Sequence, residues 1–153
     1  MNLLEIRNLK ISFGINKKKT MALEDVAFDI QENEVLGLVG ESGSGKTVTG
    51  LSIMRILSKE AEIEGGSIRF AGKNLITLPE TDMQKIRGRQ IGMVFQEPFT
   101  SLNPVLRIGY QIEETLLIHK DIQKEKVREK AMSLLRRVSI ENPGRIFNAY
   151  PHQ

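Results

Sequence analysis

The chain has 153 residues, of which 40% are hydrophobic and 27% charged, a balance that favours a globular domain with a core over a disordered chain. It contains no cysteine, which excludes disulfides and thiolate metal sites within these residues. No apolar run approaches the roughly 18 residues that a membrane-spanning helix needs, and the N-terminus lacks a basic region followed by an apolar signal core. We therefore expect a cytosolic protein.

The charged residues give a small positive excess, with 22 Lys and Arg against 19 Asp and Glu, or +3 in net charge. Much of this excess lies in residues 17–19 and 120–137, where no aromatic side chains are interleaved with the basic ones. Nucleic acid or an anionic membrane surface would attract such charge, but a solvated surface explains it without a partner. We expect no nucleic-acid partner.

Strand patterns dominate the start of the chain. Residues 3–13 and 21–30 predict two strands, and the polar, Lys-rich connection at 14–20 predicts a hairpin between them. Residues 34–39 form an apolar run that predicts a buried strand. Apolar residues at helical spacing then predict a helix over residues 46–57.

Between that strand and that helix lies a complete G-x-x-x-x-G-K-[ST] motif, which reads Gly40-Glu41-Ser42-Gly43-Ser44-Gly45-Lys46-Thr47. With these flanks the motif predicts a phosphate-binding loop. Its glycines let the backbone bring successive N–H groups close to phosphate oxygens, where a Cβ would obstruct them. The N-terminus of the following helix also favours negative charge. The alternative is a glycine-rich turn that happens to precede a lysine.

Lys46 and Thr47 supply the specific chemistry of such a loop. By the P-loop pattern, the Lys46 ammonium reaches the β- and γ-phosphates of a nucleotide, and the Thr47 hydroxyl binds Mg²⁺. The sequence thus predicts a nucleotide site over residues 40–47, with Mg²⁺ beside it.

The middle of the chain mixes strand and helix patterns. Gly65 and Gly66 are expected to interrupt the chain, and residues 67–71 and 74–78 predict a strand pair around a turn. Residues 79–87 predict a short helix, and residues 91–95 predict a buried strand.

The remainder is predicted to be helical. Residues 97–104 predict a loop interrupted by two prolines, followed by helices over 108–118 and 122–138. Asn142-Pro143-Gly144 is expected to end the second helix. One apolar stripe on that helix predicts packing, and its members are Val127, Ala131, Leu134, Leu135 and Val138.

Three segments together resemble a known family. They are Leu3-Leu4-Glu5-Ile6 with Leu9-Lys10-Ile11-Ser12-Phe13, the motif with its preceding strand from Val35 to Thr47, and Met93-Val94-Phe95-Gln96-Glu97-Pro98-Phe99-Thr100-Ser101-Leu102-Asn103-Pro104. The chain resembles, over its whole length, the ATP-binding subunits of ABC transporters, in the branch that serves dipeptide and oligopeptide importers. The last segment is the most discriminating, because the phosphate-loop motif alone is shared by many NTPases.

The resemblance implies an α/β fold, a P-loop NTPase of ABC type. Its parts would be an N-terminal antiparallel β subdomain at residues 1–33 and 65–78, an incomplete RecA-like core at 34–64 and 79–104 that runs to the Q-loop, and the start of the α-helical subdomain at 105–153. The expected ligands are ATP and Mg²⁺. The expected partners are membrane-spanning permease subunits and a second, identical or paralogous ATP-binding subunit, at the inner face of the cell membrane.

The resemblance also assigns roles to single residues. Gln96 matches the Q-loop glutamine, which contacts Mg²⁺ and the attacking water, so that Lys46 and Gln96 would be the catalytic residues and Thr47 and Gln96 the Mg²⁺ ligands; a buried polar strand end is the alternative for Gln96. Phe13 matches the aromatic residue that stacks on adenine, a contact of roughly 1–3 kcal/mol by analogy with other base–aromatic pairs. Because Leu9, Ile11 and Phe13 alternate on one strand face, Phe13 could instead belong to the core.

Neither histidine is expected to act in catalysis. His119 is expected to be a surface or packing residue on a helix. His152 is not the switch histidine of the family, since it belongs to a Tyr-Pro-His-Gln stretch that precedes the signature motif in relatives.

Other motifs that the family implies are absent from these 153 residues: the Leu-Ser-Gly-Gly signature, the Walker B strand with its aspartate, the catalytic glutamate and the switch histidine. We therefore expect a fragment of a transport ATPase that binds ATP without efficient turnover, with strand edges left unpaired. The alternative is a regulatory or non-transport ABC module that binds ATP without hydrolysis.

Overall fold

The computed structural model describes residues 2–15, 18–96, 101–118 and 122–153. The chain divides into two compact units, Met1–Arg87 and Gly88–Gln153. The first unit contains all of the predicted β subdomain and the phosphate loop, and the second contains Gln96 and all of the predicted helical subdomain. The finer subdomain boundaries stay a prediction.

The first unit is built on a four-stranded antiparallel sheet. Its strands are β1 (Asn2–Ile15), β2 (Lys18–Gln31), β3 (Ala61–Phe70) and β4 (Lys73–Asn74). They lie side by side in the order β2-β1-β3-β4. The predicted hairpin is confirmed, but the connection predicted at 14–20 is wrong, because Gly14 and Ile15 pair with Lys19 and Lys18 and extend both strands. The strand predicted at 74–78 is wrong beyond Asn74, because β4 consists of Lys73 and Asn74 alone.

A bulge crosses three strands of this sheet. Asn8 in β1 and Asp25 in β2 both adopt left-handed backbone angles, and the Asn8 amide donates to the Asp25 carboxylate at 2.6 Å. Gly66 in β3 has a φ of +93°, and a Cβ there would lie 2.6 Å from the carbonyl oxygen of Arg7. The expected interruption at Gly65 and Gly66 is therefore wrong: both residues lie within β3, where glycine permits the bulge.

Two helices accompany the sheet in the first unit, α1 (Lys46–Met54) and α2 (Glu80–Ile86). Helix α1 ends at Met54, three residues before the predicted end, because Arg55 turns into the left-handed conformation that closes it. The buried apolar side chains of the unit are Leu4, Ile6, Leu9, Ile11, Leu23, Met54, Ile68, Leu75, Met83 and Ile86.

The buried strands predicted at residues 34–39 and 91–95 are wrong for the described structure. Neither segment forms a strand ladder, and Val35, Val39 and Val94 are 97%, 95% and 96% exposed. A strand is buried on both faces only where neighbouring strands and covering helices surround it. Apart from a single bridge at Ile91, the described residues supply no neighbouring strand to either segment.

The second unit consists of three α-helices within its described residues. They are α3 (Ile108–Ile118), α4 (Val127–Arg137) and α5 (Pro143–Asn148), with a 3₁₀ turn at Lys124–Lys126 before α4. Ala131, Leu135 and Phe147 form the buried centre, and Arg128 lies over the Phe147 ring at 4.7 Å. The loop predicted at 97–104 lies partly outside the described residues, and Ser101–Pro104 has no regular structure.

Two further predictions for this unit are wrong. Asn142-Pro143-Gly144 begins a helix instead of ending one: the Asn142 side chain accepts from the Arg145 N–H at 3.2 Å, and proline suits the first helical position because it needs no N–H there. Val138 does not pack as part of the predicted apolar stripe. Its side chain is 69% exposed, because α4 ends at Arg137 and Ser139 adopts a left-handed backbone conformation. None of the helices in the described part of the chain has the length and hydrophobicity of a membrane-spanning segment.

The bulge predicts a specific cost for side chains at Gly66. We expect Gly66→Ala to lower the free energy of unfolding by about 2 kcal/mol or more, since it combines a left-handed residue with a contact against main-chain oxygens. Urea unfolding followed by circular dichroism measures this. Gly65→Ala is the matched control, because no atom lies within 4 Å of its added Cβ. Equal losses in both variants would contradict the account of the bulge.

Candidate functional site

The phosphate-loop motif leads directly into the N-terminus of α1. Gly45 is the N-cap residue, with φ of +88°, and the Thr49 N–H donates to its carbonyl at 2.9 Å as the helix begins. No side chain caps this end of α1. Because the first N–H groups of a helix have no partner within it, the backbone here is left to bind an anion.

The charge at this helix end also suits an anion. The first turn of α1 holds no acidic residue, so no carboxylate competes for the N–H groups or for the positive end of the helix dipole. By contrast, α2 begins with Glu80 and Asp82 in its first turn. The two helices of the unit therefore differ at their N-termini, and only α1 combines open N–H groups with a basic side chain.

Lys46 lies across the loop. Its ammonium donates to the carbonyl oxygens of Gly40 and Glu41, both at 2.6 Å, and to the Ser44 hydroxyl at 3.0 Å. These bonds fold the lysine back over its own loop and keep its positive charge beside the N-terminus of α1. The structure thus brings together the loop, the helix end and the lysine that the motif predicts.

Gly40 and Gly45 need to be glycine for reasons that the structure makes specific. A Cβ on Gly40 would lie 2.7 Å from the Ser44 hydroxyl oxygen, inside the fold of the loop. A Cβ on Gly45 would overlap the Leu23 side chain of β2 and lie 3.2 Å from the Ala22 carbonyl oxygen. The loop therefore rests on β2 at Gly45, where Leu23 is buried. The sequence offered no signal that Leu23 supports the site.

The residues present fit a nucleotide phosphate with Mg²⁺. Thr47 is exposed in the first turn of α1, where its hydroxyl is available as an oxygen ligand. Among the described residues, no group of three or more His, Asp or Glu could hold a metal ion alone. Mg²⁺ commonly binds with one or two protein oxygens, phosphate oxygens and water, which is the ligand set that Thr47 and a bound phosphate would offer.

The positions of Phe13 and Gln96 in the structure do not decide their predicted roles in nucleotide binding. Phe13 lies in β1 opposite Thr20 and Ala61, and its side chain is half-buried, so the structure leaves both adenine stacking and core packing open. Gln96 lies in the second unit and is exposed at the end of the unpaired segment, so the buried strand end is wrong. Its contacts with Mg²⁺ and water stay a prediction.

The structure describes one of the two histidines, His152. The His152 ring stacks on Tyr150 with centroids 5.9 Å apart, which is a local contact after α5. The prediction for His119 lies outside the described residues.

A groove of about 350 Å³ opens in the second unit. Gln111 of α3 shapes its edge: its side-chain oxygen accepts from the Asn103 N–H at 2.8 Å, and its amide donates to the carbonyls of Asn103 and Leu106, both at 3.0 Å. The lining residues include Ser101, Leu102, Ile112, Thr115, Leu116 and Leu134. Sequence reasoning missed Gln111, since an amide in a helix gives no sign of the loop that it holds.

Comparisons with known proteins agree on one family. Residues 23–151 match the family described as "ABC transporter". The chain is 46% identical over 152 residues to the oligopeptide transport ATP-binding protein AppD of Bacillus subtilis, and 44% identical over 151 residues to the dipeptide transport ATP-binding protein DppD of Lactococcus lactis. These alignments cover 99% and 98% of this chain but 46% and 43% of the relatives. The chain thus spans less than half the length of these relatives.

A solved structure shows the same fold. The dimeric structure of the bacterial ABC transporter cassette MJ0796 superposes with a TM-score of 0.81 and 26% identity, over 98% of this chain and 62% of that one. The predicted α/β fold of ABC type is confirmed by this similarity, and the antiparallel sheet at the N-terminus agrees with it.

The loop geometry predicts a direct test of Lys46. We expect Lys46→Met to weaken nucleotide binding at least about tenfold, because charge-assisted hydrogen bonds to phosphate contribute roughly 1.5–3 kcal/mol each. Titration of MgATP by isothermal calorimetry measures the change. Lys59→Met is the matched control, since Lys59 is exposed in the same unit outside the loop. Equal affinities of wild type and Lys46→Met would rule out the phosphate assignment.

Proposed function

Since the chain belongs to the ABC transporter family, we propose that it is the ATP-binding part of an importer subunit that couples MgATP binding and hydrolysis to the uptake of dipeptides or oligopeptides. The observation that carries this proposal is the open N-terminus of α1, with the Lys46 ammonium held over a glycine loop.

In this proposal the loop residues bind and orient the phosphates. The backbone N–H groups from Gly43 to Thr47 would donate to phosphate oxygens. For this, the Ser44 N–H gives up its 3.2 Å bond to the Glu41 carbonyl, and Lys46 exchanges its bonds to the Gly40 and Glu41 carbonyls for phosphate oxygens. A bound Mg²⁺ would neutralise part of the phosphate charge. The Thr47 hydroxyl and the Gln96 side-chain oxygen would hold that ion, and Gln96 would also orient the attacking water.

Phe13 is proposed to stack on adenine. Its backbone is held near the end of β1 by pairing with both β2 and β3, and the Gly14 N–H donates to the Glu60 carbonyl at 3.0 Å beside it. Because the backbone that carries this half-buried ring is already ordered, contact with a base costs little further backbone freedom, which favours stacking.

Peptides are proposed as the transported solute because both quoted relatives are named for oligopeptide or dipeptide transport. Within such a transporter, the partners would be membrane-spanning permease subunits and a second ATP-binding subunit. The groove between α3 and α4 supports a permease partner, since its apolar lining residues Ile112, Leu116 and Leu134 suit an apolar cytosolic segment of a permease. The protein would then lie at the cytoplasmic face of the membrane.

The 153 residues are proposed to bind ATP without efficient turnover. They hold the phosphate loop and Gln96 but not the signature, the Walker B aspartate or the catalytic glutamate. Hydrolysis needs a positioned water and a base in addition to phosphate contacts, and Gln96 alone supplies no base.

Magnesium dependence tests the proposed function. We expect saturable binding of ATP to the 153-residue chain that weakens about tenfold or more when EDTA removes Mg²⁺, because the ion offsets phosphate charge at the site. Fluorescence of a labelled ATP analogue measures the affinity, and a phosphate-release assay on the same sample is expected to show no turnover above that of Lys46→Met. The absence of saturable binding with Mg²⁺ present would contradict the proposal.

A further inference from the structure

Two arginines and a glutamate form a cluster at the C-terminal end of α1, opposite the end that carries the phosphate loop. Arg55 is the residue that closes α1, Glu80 begins α2, and Arg87 directly follows α2. All three lie in the first unit. The nucleotide motif accounts for none of them.

Arg87 binds the end of α1 through its backbone. Its Nε donates to the Met54 carbonyl at 2.7 Å, and its Nη2 donates to the Arg55 carbonyl at 3.2 Å. Its Nη1 forms an ion pair with Glu80. The Arg87 side chain is only 22% exposed, so most of it is out of water. The last carbonyls of a helix lack partners within it, and a guanidinium matches both their geometry and the negative end of the dipole.

Arg55 connects the cluster to the segment between β4 and α2. Its Nη1 donates to the carbonyls of Leu78 and Leu75, at 2.6 and 3.1 Å, and its Nη2 lies 3.6 Å from the Glu80 carboxylate. Glu80 is therefore shared by both guanidinium groups. Its pKa is lowered, first by the hydrogen bond from Arg87 and then by the charges of both arginines, so it stays ionised at neutral pH.

Within the part of the chain that the structure describes, α1 has few supports besides this cluster. At its N-terminus α1 contacts β2 through Gly45 and Leu23. Its buried side chains are Thr49, Ser52 and Met54, and the two hydroxyls bond within the helix, to the Gly45 and Thr49 carbonyls. A nine-residue helix moves as a rigid rod, so release of its C-terminal end changes the direction of the N–H groups at the other end.

We propose that Arg87 is a positioning residue for phosphate binding: it holds the C-terminal end of α1 so that the N–H groups and Lys46 at the N-terminal end point towards the nucleotide. The inference rests on the proposed ATP-binding function. It adds a residue outside the loop on which the affinity of the loop depends.

The test compares three variants of the 153-residue chain with wild type. We expect Arg87→Ala to weaken MgATP binding about fivefold or more, since displacement of binding groups by even about 1 Å is costly. We expect the MgATP affinity of Arg87→Lys to lie between those of wild type and Arg87→Ala, because an ammonium can replace one hydrogen bond but lacks the planar fork of a guanidinium. Lys85→Ala is the matched control: it also removes one positive charge, two residues earlier in the chain, but Lys85 is exposed and pairs only with Asp82, at 2.8 Å, among the contacts described.

Affinity is measured by calorimetry well below the unfolding temperature of each variant, as determined by circular dichroism. A purely structural role would lower that temperature and leave the affinity of the folded protein unchanged. Affinity of folded Arg87→Ala within twofold of wild type would overturn the inference, as would an equal loss in Lys85→Ala. If Arg87→Ala does not fold, the affinity of Arg87→Lys is compared with that of wild type instead. A value within twofold of wild type, or an equal loss in Lys85→Ala, would then overturn the inference. Failure of wild type itself to bind MgATP would instead refute the proposed function.

Discussion

The contact between Gly45 and Leu23 fixes the phosphate loop on the sheet. Gly45 has a left-handed backbone and no Cβ, so Leu23 of β2 can lie directly against it, and α1 begins at that point. Any side chain at position 45 would overlap Leu23 or push the helix away from the strand. The start of α1, and with it the place of Lys46 beside the loop, depends on this close approach.

The site has the form of an anion receptor because several ordinary stabilising features are absent from α1. It has no side-chain cap and no acidic residue in its first turn, and Lys46 bonds main-chain oxygens of its own loop where a phosphate would compete for it. Helices α2 and α4 also lack a side-chain cap but carry acidic residues in their first turns, and α5 is capped by Asn142, so of these four helices α1 alone has neither feature. The open end of α1 is thus better explained by ligand binding than by folding.

The sequence predicted the parts of the fold whose signals are local. The hairpin, α2, α3 and the loop motif with its helix follow from period, turn chemistry and glycine spacing. It failed where the outcome depends on neighbours: residues 34–39 have the composition of a buried strand, but Val35 and Val39 are exposed because the described residues give them no partner strand. It also failed at Asn142, because Asn-Pro ends one helix or begins another with similar local chemistry. The supporting roles of Leu23 and Gln111 arise from distant segments and carry no sequence signal.

If the N–H groups at the start of α1 bind nucleotide phosphate, their amide chemical shifts must respond to the nucleotide. In a ¹⁵N-labelled sample titrated with MgATP, we expect the amide resonances from Gly43 to Thr47 to move most and to saturate together, with smaller shifts in Leu23 beneath the loop. Phosphate binding at this helix end is refuted if the amides of Gly43 to Thr47 stay unmoved at saturation while the largest shifts occur elsewhere.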